Sequence, residues 1–183
     1  GTLASYLLGD SVLQFSTIIG AYLFAMGVGS WMSRLLTYQL AAHFLRVELL
    51  VGFVGGLMPA VLFMASAQAP TPFRWLLYGL VFLVGMLVGL EIPLVMRLLK
   101  RDYTLKDLVS QVLTFDYLGA LGVSILFPLV LIPQLGIIRT SLLFGLFNTE
   151  VAAWALWLFR SELRRLRTHV IAVAAVAAVL GAA

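Results

Sequence analysis

The run FRWLLYGLVFLVGMLVGLEIPL, residues 73–94, decides the fold. From Trp75 to Leu90 it carries no charged side chain, and its length matches the roughly 20 apolar residues an α-helix needs to cross a bilayer core about 30 Å thick. The same texture continues in both directions. The 183 residues are 62% hydrophobic and only 11% charged, with a mean hydropathy of +1.07. Soluble domains carry about 25% charged residues, so a soluble domain is excluded. The apolar character is spread over the whole length, which excludes a cleaved leader or a single anchor as its source. At roughly 20 residues per span plus short loops, the chain holds about seven crossings. The expected fold is all-α: a polytopic transmembrane helical bundle forming one module over 1–183, without a soluble domain of its own.

Outward from residues 73–94, the expected helices are 1–8 and 12–36 upstream, then 47–67, and downstream 108–132, 138–159 and 170–183. The first and last runs are too short to span and read as truncated helices. Gly9-Asp10-Ser11, Ala69-Pro70-Thr71-Pro72 and Pro133-Gln134-Leu135-Gly136 read as connections. Pro59, Pro93 and Pro128 fall inside helical runs, where each removes an intrahelical donor and is expected to kink its helix.

Charge sets the orientation. Ten of the twelve lysines and arginines fall in the segments 33–46, 97–107 and 160–169, and only Arg74 and Arg139 lie elsewhere. Short basic loops stay in the cytoplasm, so these three are expected there. Asp10 is then outside, and the chain leaves Ala183 heading outward unless an eighth helix follows. The net charge of +4 suits lipid head groups better than nucleic acid. With no cysteine and two histidines, His43 and His169, both read as solvated loop residues, no metal site and no cofactor are expected.

Glycines recur four apart at Gly52/Gly56 and Gly85/Gly89, and small residues do so at Ala21/Ala25 and Ala25/Gly29. That spacing lets helix backbones approach closely. Acidic residues inside apolar runs say more, because each costs roughly 2.5–3.5 kcal/mol near the bilayer centre on insertion scales. Asp116 lies about 15 Å along its helix from Lys106, Glu150 about 15 Å from Arg160, and Glu91 about 9 Å from Arg97. Asp116 and Glu150 therefore reach similar depth, with Asn148, Tyr117 and Gln111 as candidate hydrogen-bond partners. The set Asp116, Glu150, Glu91 and Asn148 is the candidate buried polar or cation site. Glu150, Trp154 and Trp157 share one helix face, and the tryptophans also suit the membrane interface. Glu48, two residues after Arg46, reads as an interfacial cap. No phosphate loop or nucleophile elbow is present, so no catalytic machinery is visible.

The stretches Leu7-Leu8-Gly9-Asp10-Ser11-Val12, Gly20-Ala21-Tyr22-Leu23-Phe24-Ala25-Met26-Gly27-Val28-Gly29-Ser30 and Glu48-Leu49-Leu50-Val51-Gly52 carry a family resemblance. So do Glu91-Ile92-Pro93-Leu94, Thr114-Phe115-Asp116-Tyr117-Leu118-Gly119-Ala120-Leu121, Phe127-Pro128 and Pro133-Gln134-Leu135-Gly136. Together they resemble the N-terminal transmembrane module of membrane-bound spermidine synthase-like proteins, the polyamine aminopropyltransferases. The resemblance implies a longer protein whose soluble Rossmann-like domain transfers an aminopropyl group from decarboxylated S-adenosylmethionine to putrescine. None of that domain's residues is in this chain. In the membrane part the matching polar positions are Asp10, Glu48, Glu91 and Asp116, whereas Glu150 falls outside the pattern. Two other readings stay open: a small-cation or polyamine carrier using Asp116 and Glu150, and a structural subunit whose small-residue faces dock partner membrane subunits or a second copy.

Overall fold

The structure, a computed structural model, describes residues 11–67, 70–100, 104–163 and 165–183. The expected helix at 1–8 and Asp10 lie outside these residues. The described residues form five helical runs, the fourth of them broken at Gly136. We label them α1 (Ser11–Ser33), α2 (Leu40–Ser66), α3 (Pro70–Leu99), a long run made of α4 (Leu105–Leu126), a π-helical turn (Phe127–Leu131) and α5 (Ile132–Leu158), and α6 (Leu166–Ala182). The first four runs are long and apolar enough to cross a membrane, and α6, with 17 residues, is shorter.

Among the described residues the expected count of seven helices is therefore not met. Residues 108–132 and 138–159, expected as two helices, fall within the run Lys106–Leu158, which the non-helical residue Gly136 breaks in two. Pro128 has no N–H to donate, and the chain passes it in a π-helical turn. Pro133 follows at the start of α5, where a missing donor costs little. The change of direction falls instead at Gly136, whose φ of 73° and ψ of 175° suit a residue without Cβ. The Thr140 hydroxyl donates to the Leu131 carbonyl at 3.2 Å. In an unbroken helix those residues sit about 13 Å apart, so the chain doubles back across Gly136.

Two boundaries also move. α2 begins at Leu40 rather than 47, because Ala41, Ala42, Phe44 and Leu45 are core residues and the helix extends to bury them. α1 stops at Ser33 rather than 36. There Arg97 of α3 donates to the carbonyls of Ser33 and Leu36, both at 2.6 Å. The last carbonyls of a helix have no internal partner, so this guanidinium supplies one. Arg97→Ala is expected to cost about 2 kcal/mol, since it strands two carbonyls, with Arg97→Lys recovering part of it. The unfolding midpoint in detergent measures it, and an unchanged midpoint would show that water caps α1 equally well. At the start of α4, Thr104 accepts from the Asp107 N–H at 3.3 Å and donates to its carboxylate at 2.6 Å.

α1 packs along α3, α2 along both α5 and α3, and α6 against α5 and α2, while α4 touches α3. In a bilayer, apolar burial gives helices little drive to associate, so close backbone contact has to hold them. Two seams provide it. In the first, a Cβ on Gly85 would lie 2.9 Å from the Tyr22 carbonyl oxygen, and one on Gly89 or Gly29 would collide with the backbone of Met26 or Met86. In the second, a Cβ on Gly52 would lie 2.8 Å from the Gly145 carbonyl oxygen, and one on Gly145 2.6 Å from that of Gly52.

Candidate functional site

The helices stacked on these seams bring four polar side chains toward one region, each from a different helix. Glu91 of α3 lies within electrostatic reach of Glu48 on α2 and Asp116 on α4, and Tyr22 of α1 within reach of Glu91 and Asp116. Glu48 is buried, at 7% exposure. Glu91 is half-buried, and its Oε1 is sealed from solvent with no hydrogen-bond partner among the described residues. Asp116 stands on an exposed face of α4. No lysine or arginine belongs to this set. Carboxylates gathered in a low-dielectric region call for protons, donors or a cation.

Among the described residues no three His, Cys, Asp or Glu side chains sit close enough to hold one metal ion. The arrangement therefore suits protons, or an extended cation with charges at more than one position, better than a compact ion held in one shell.

Glu48 is not the interfacial cap its sequence position suggests. It lies inside α2, eight residues past the start, one turn ahead of Gly52 on the stripe that continues to Gly56. That shared stripe is the sequence signal that marks it as inward-facing. Tyr22 carried no such signal beyond lying three residues before Ala25 in the small-residue pattern. Gln14 of α1 is a second buried polar group, with an unpartnered Oε1.

Glu150 stands apart from this set, on an exposed face of α5 with Trp154 and Trp157, which are 66% and 64% exposed. Nothing among the described residues links it to Asp116. Asn148 belongs to the α2–α5 seam, its Cβ 3.2 Å from where one on Gly52 would stand. It lines a largely apolar cavity of about 310 Å³ with Pro59, Phe127 and Ser141. His43 and His169 are not loop residues: they lie in the first turns of α2 and α6, and His169 is buried.

A helical chain with four apolar runs of membrane-crossing length and an inward acidic set is compatible with an integral membrane protein. No family profile matches it, and no solved structure matches it significantly. Curated proteins do. The chain is 63% identical over 165 residues, 89% of its length, to polyamine aminopropyltransferase 2 of Ralstonia nicotianae, of which that match covers 32%. It is 52% identical over 86% of its length to a polyamine aminopropyltransferase of Leptospira interrogans, covering 31% of it. To the protein of the same name in Oceanobacillus iheyensis it is 35% identical over 93% of its length, covering 34%. The chain is thus similar to one part of proteins carrying that name, and it spans about a third of their length.

Proposed function

We propose that this chain is the membrane-embedded module of a polyamine aminopropyltransferase-like protein and anchors that protein's soluble aminopropyltransferase-type domain. The observation that carries this reading is 63% identity over nearly the whole chain to proteins three times as long. The test is the complete protein expressed with and without this module. Loss of membrane association together with retained aminopropyl transfer in the soluble remainder is the expected result. A remainder that stays on the membrane by itself would remove the anchoring role.

The basic segments 33–46, 97–107 and 160–169 are the cytoplasmic side in this reading, in a bacterial inner membrane. α6 starts at that end, and its 17 residues span about 26 Å. A reporter in the Lys100–Arg101 loop is expected to report the cytoplasm, and one fused just beyond Ala183 the opposite side. Cytoplasmic signals from both would mean that α6 does not cross.

The acidic set supports a second reading, that the module also takes up a small cation or polyamine. It rests on Glu48, Glu91 and Asp116, with no cation among them, instead of on Asp116 with Glu150. Uptake into proteoliposomes that is unchanged in Glu91→Gln and Asp116→Asn variants would remove it.

A further inference from the structure

At the basic end of the bundle, the first turns of α2 and α6 enclose a cavity of about 560 Å³. Its polar lining is Gln39, Arg46, Glu162, Arg165, Thr168 and His169, over a floor of small and aliphatic side chains. Both lips are fixed by the same device. The Nδ1 of His43 lies 3.1 Å from the Gln39 carbonyl oxygen, and the Nδ1 of His169 lies 2.8 Å from that of Arg165. A carbonyl oxygen only accepts, so in each ring Nδ1 carries the proton. Each histidine thus holds the residue four positions earlier, and both of those residues face the cavity. Gln39 is further set by a left-handed backbone (φ 51°, ψ 46°), which turns the chain into α2.

The charges in this lining are not consumed by the fold. Elsewhere at the same end Arg97 is spent on the end of α1, and Arg34 lies over the Trp31 ring at 4.1 Å. Among the described residues the guanidiniums of Arg46 and Arg165 have no ion pair or hydrogen bond. Glu162, the one carboxylate among the described lining residues, is already engaged in an interaction of its own. Among the described lining residues, two guanidiniums against one carboxylate give a net positive charge. Arginine offers a planar fork suited to phosphate oxygens, and Gln39 and Thr168 add neutral donors. The floor, formed by Ala42, Leu49 and Ala172, continues between α2 and α6 toward the apolar body of the bundle. An occupant therefore has a phosphate at the rim and an apolar portion below it, and basic pockets between helices at a cytoplasmic surface suit anionic lipid head groups.

We propose that the α2–α6 cavity binds the phosphodiester head group of an anionic phospholipid, gripped by Arg46 and Arg165. The proposal is independent of the aminopropyltransferase reading. It is tested on the complete protein in detergent with three probes: phosphatidylglycerol, phosphatidylcholine and inorganic phosphate, read by retention in native mass spectrometry and by the unfolding midpoint.

Phosphatidylglycerol is expected to be retained and to raise the midpoint. Phosphatidylcholine, whose choline cancels the phosphate charge, is expected to bind at least severalfold more weakly. Arg46→Ala with Arg165→Ala is expected to weaken phosphatidylglycerol binding at least tenfold, and the paired lysine variant, which keeps charge but loses the fork, by an intermediate factor. Both side chains are exposed, so the fold should survive, and Arg160→Ala from the same end, outside the cavity lining, is the control. Equal retention by the double variant and the parent overturns the proposal. So does saturation of the cavity by inorganic phosphate with no further gain from the lipid, which would assign the arginines to a soluble phosphate.

Discussion

Gly89→Leu will remove most of the folded protein from the membrane fraction, and Gly79→Leu on the same helix will not. A side chain at position 89 meets the backbone of Met26, which has no rotamer by which to yield, whereas a Cβ at position 79 meets nothing within 4 Å. Overpacking a well-packed site costs about 1–3 kcal/mol, and contact with backbone belongs at the upper end or beyond. For a module whose helices gain little from apolar burial in lipid, that is a large share of what keeps α1 on α3. Fluorescence-detected size exclusion of the two variants side by side measures the contrast. Equal monodisperse yields would show that α1 and α3 do not meet at this glycine. Since α1 supplies Tyr22 and α3 supplies Glu91, the same variant should also dissolve the acidic set.

The glycine seams were legible because contact at four-residue spacing is a property of backbone shape and needs no knowledge of the rest of the bundle. The acidic set was legible only in part. Reading depth from the distance to the nearest basic residue placed Asp116 and Glu150 at one level. Depth, however, is a coordinate along the helix and says nothing about rotation around it. A helix as uniformly apolar as α5 has no polar face to declare which way it turns, so Glu150 could be assigned inward when it stands outward beside Trp154 and Trp157. Glu48 shows the opposite error. Its nearness to Arg46 suggested the interface, while the stripe shared with Gly52 and Gly56 already marked an inward face. The Pro133–Gly136 connection was correct as the place where the chain turns. The backbone leaves helical values there at Gly136, whereas Pro128, which reads as a kink, is absorbed by a π-helical turn.

A lysine at position 91 gives the acidic set its sharpest test. At a buried apolar position of α3 such as Leu87, an introduced ammonium has no partner, and Leu87→Lys is expected to cost several kcal/mol. Glu91 differs, because Glu48 and Asp116 lie within electrostatic reach and no cation among the described residues offsets them. An ammonium placed there gains two opposite charges where the native carboxylate faces two like ones. Glu91→Lys is therefore expected to fold with a stability within about 1 kcal/mol of the parent protein, the exchange of repulsion for attraction compensating the cost of a longer, buried side chain. The same built-in ammonium would occupy the place of any cation the set receives, so putrescine uptake into proteoliposomes, if the module performs it, should fall at least tenfold in this variant. Destabilisation equal to that of Leu87→Lys would mean that the three carboxylates are not held as a group. Normal folding with parental uptake would mean that the group exists but carries nothing. Of those two results the first would undo the site itself, and the second would leave it as a cluster of protonated carboxyls that fixes α2, α3 and α4 relative to one another.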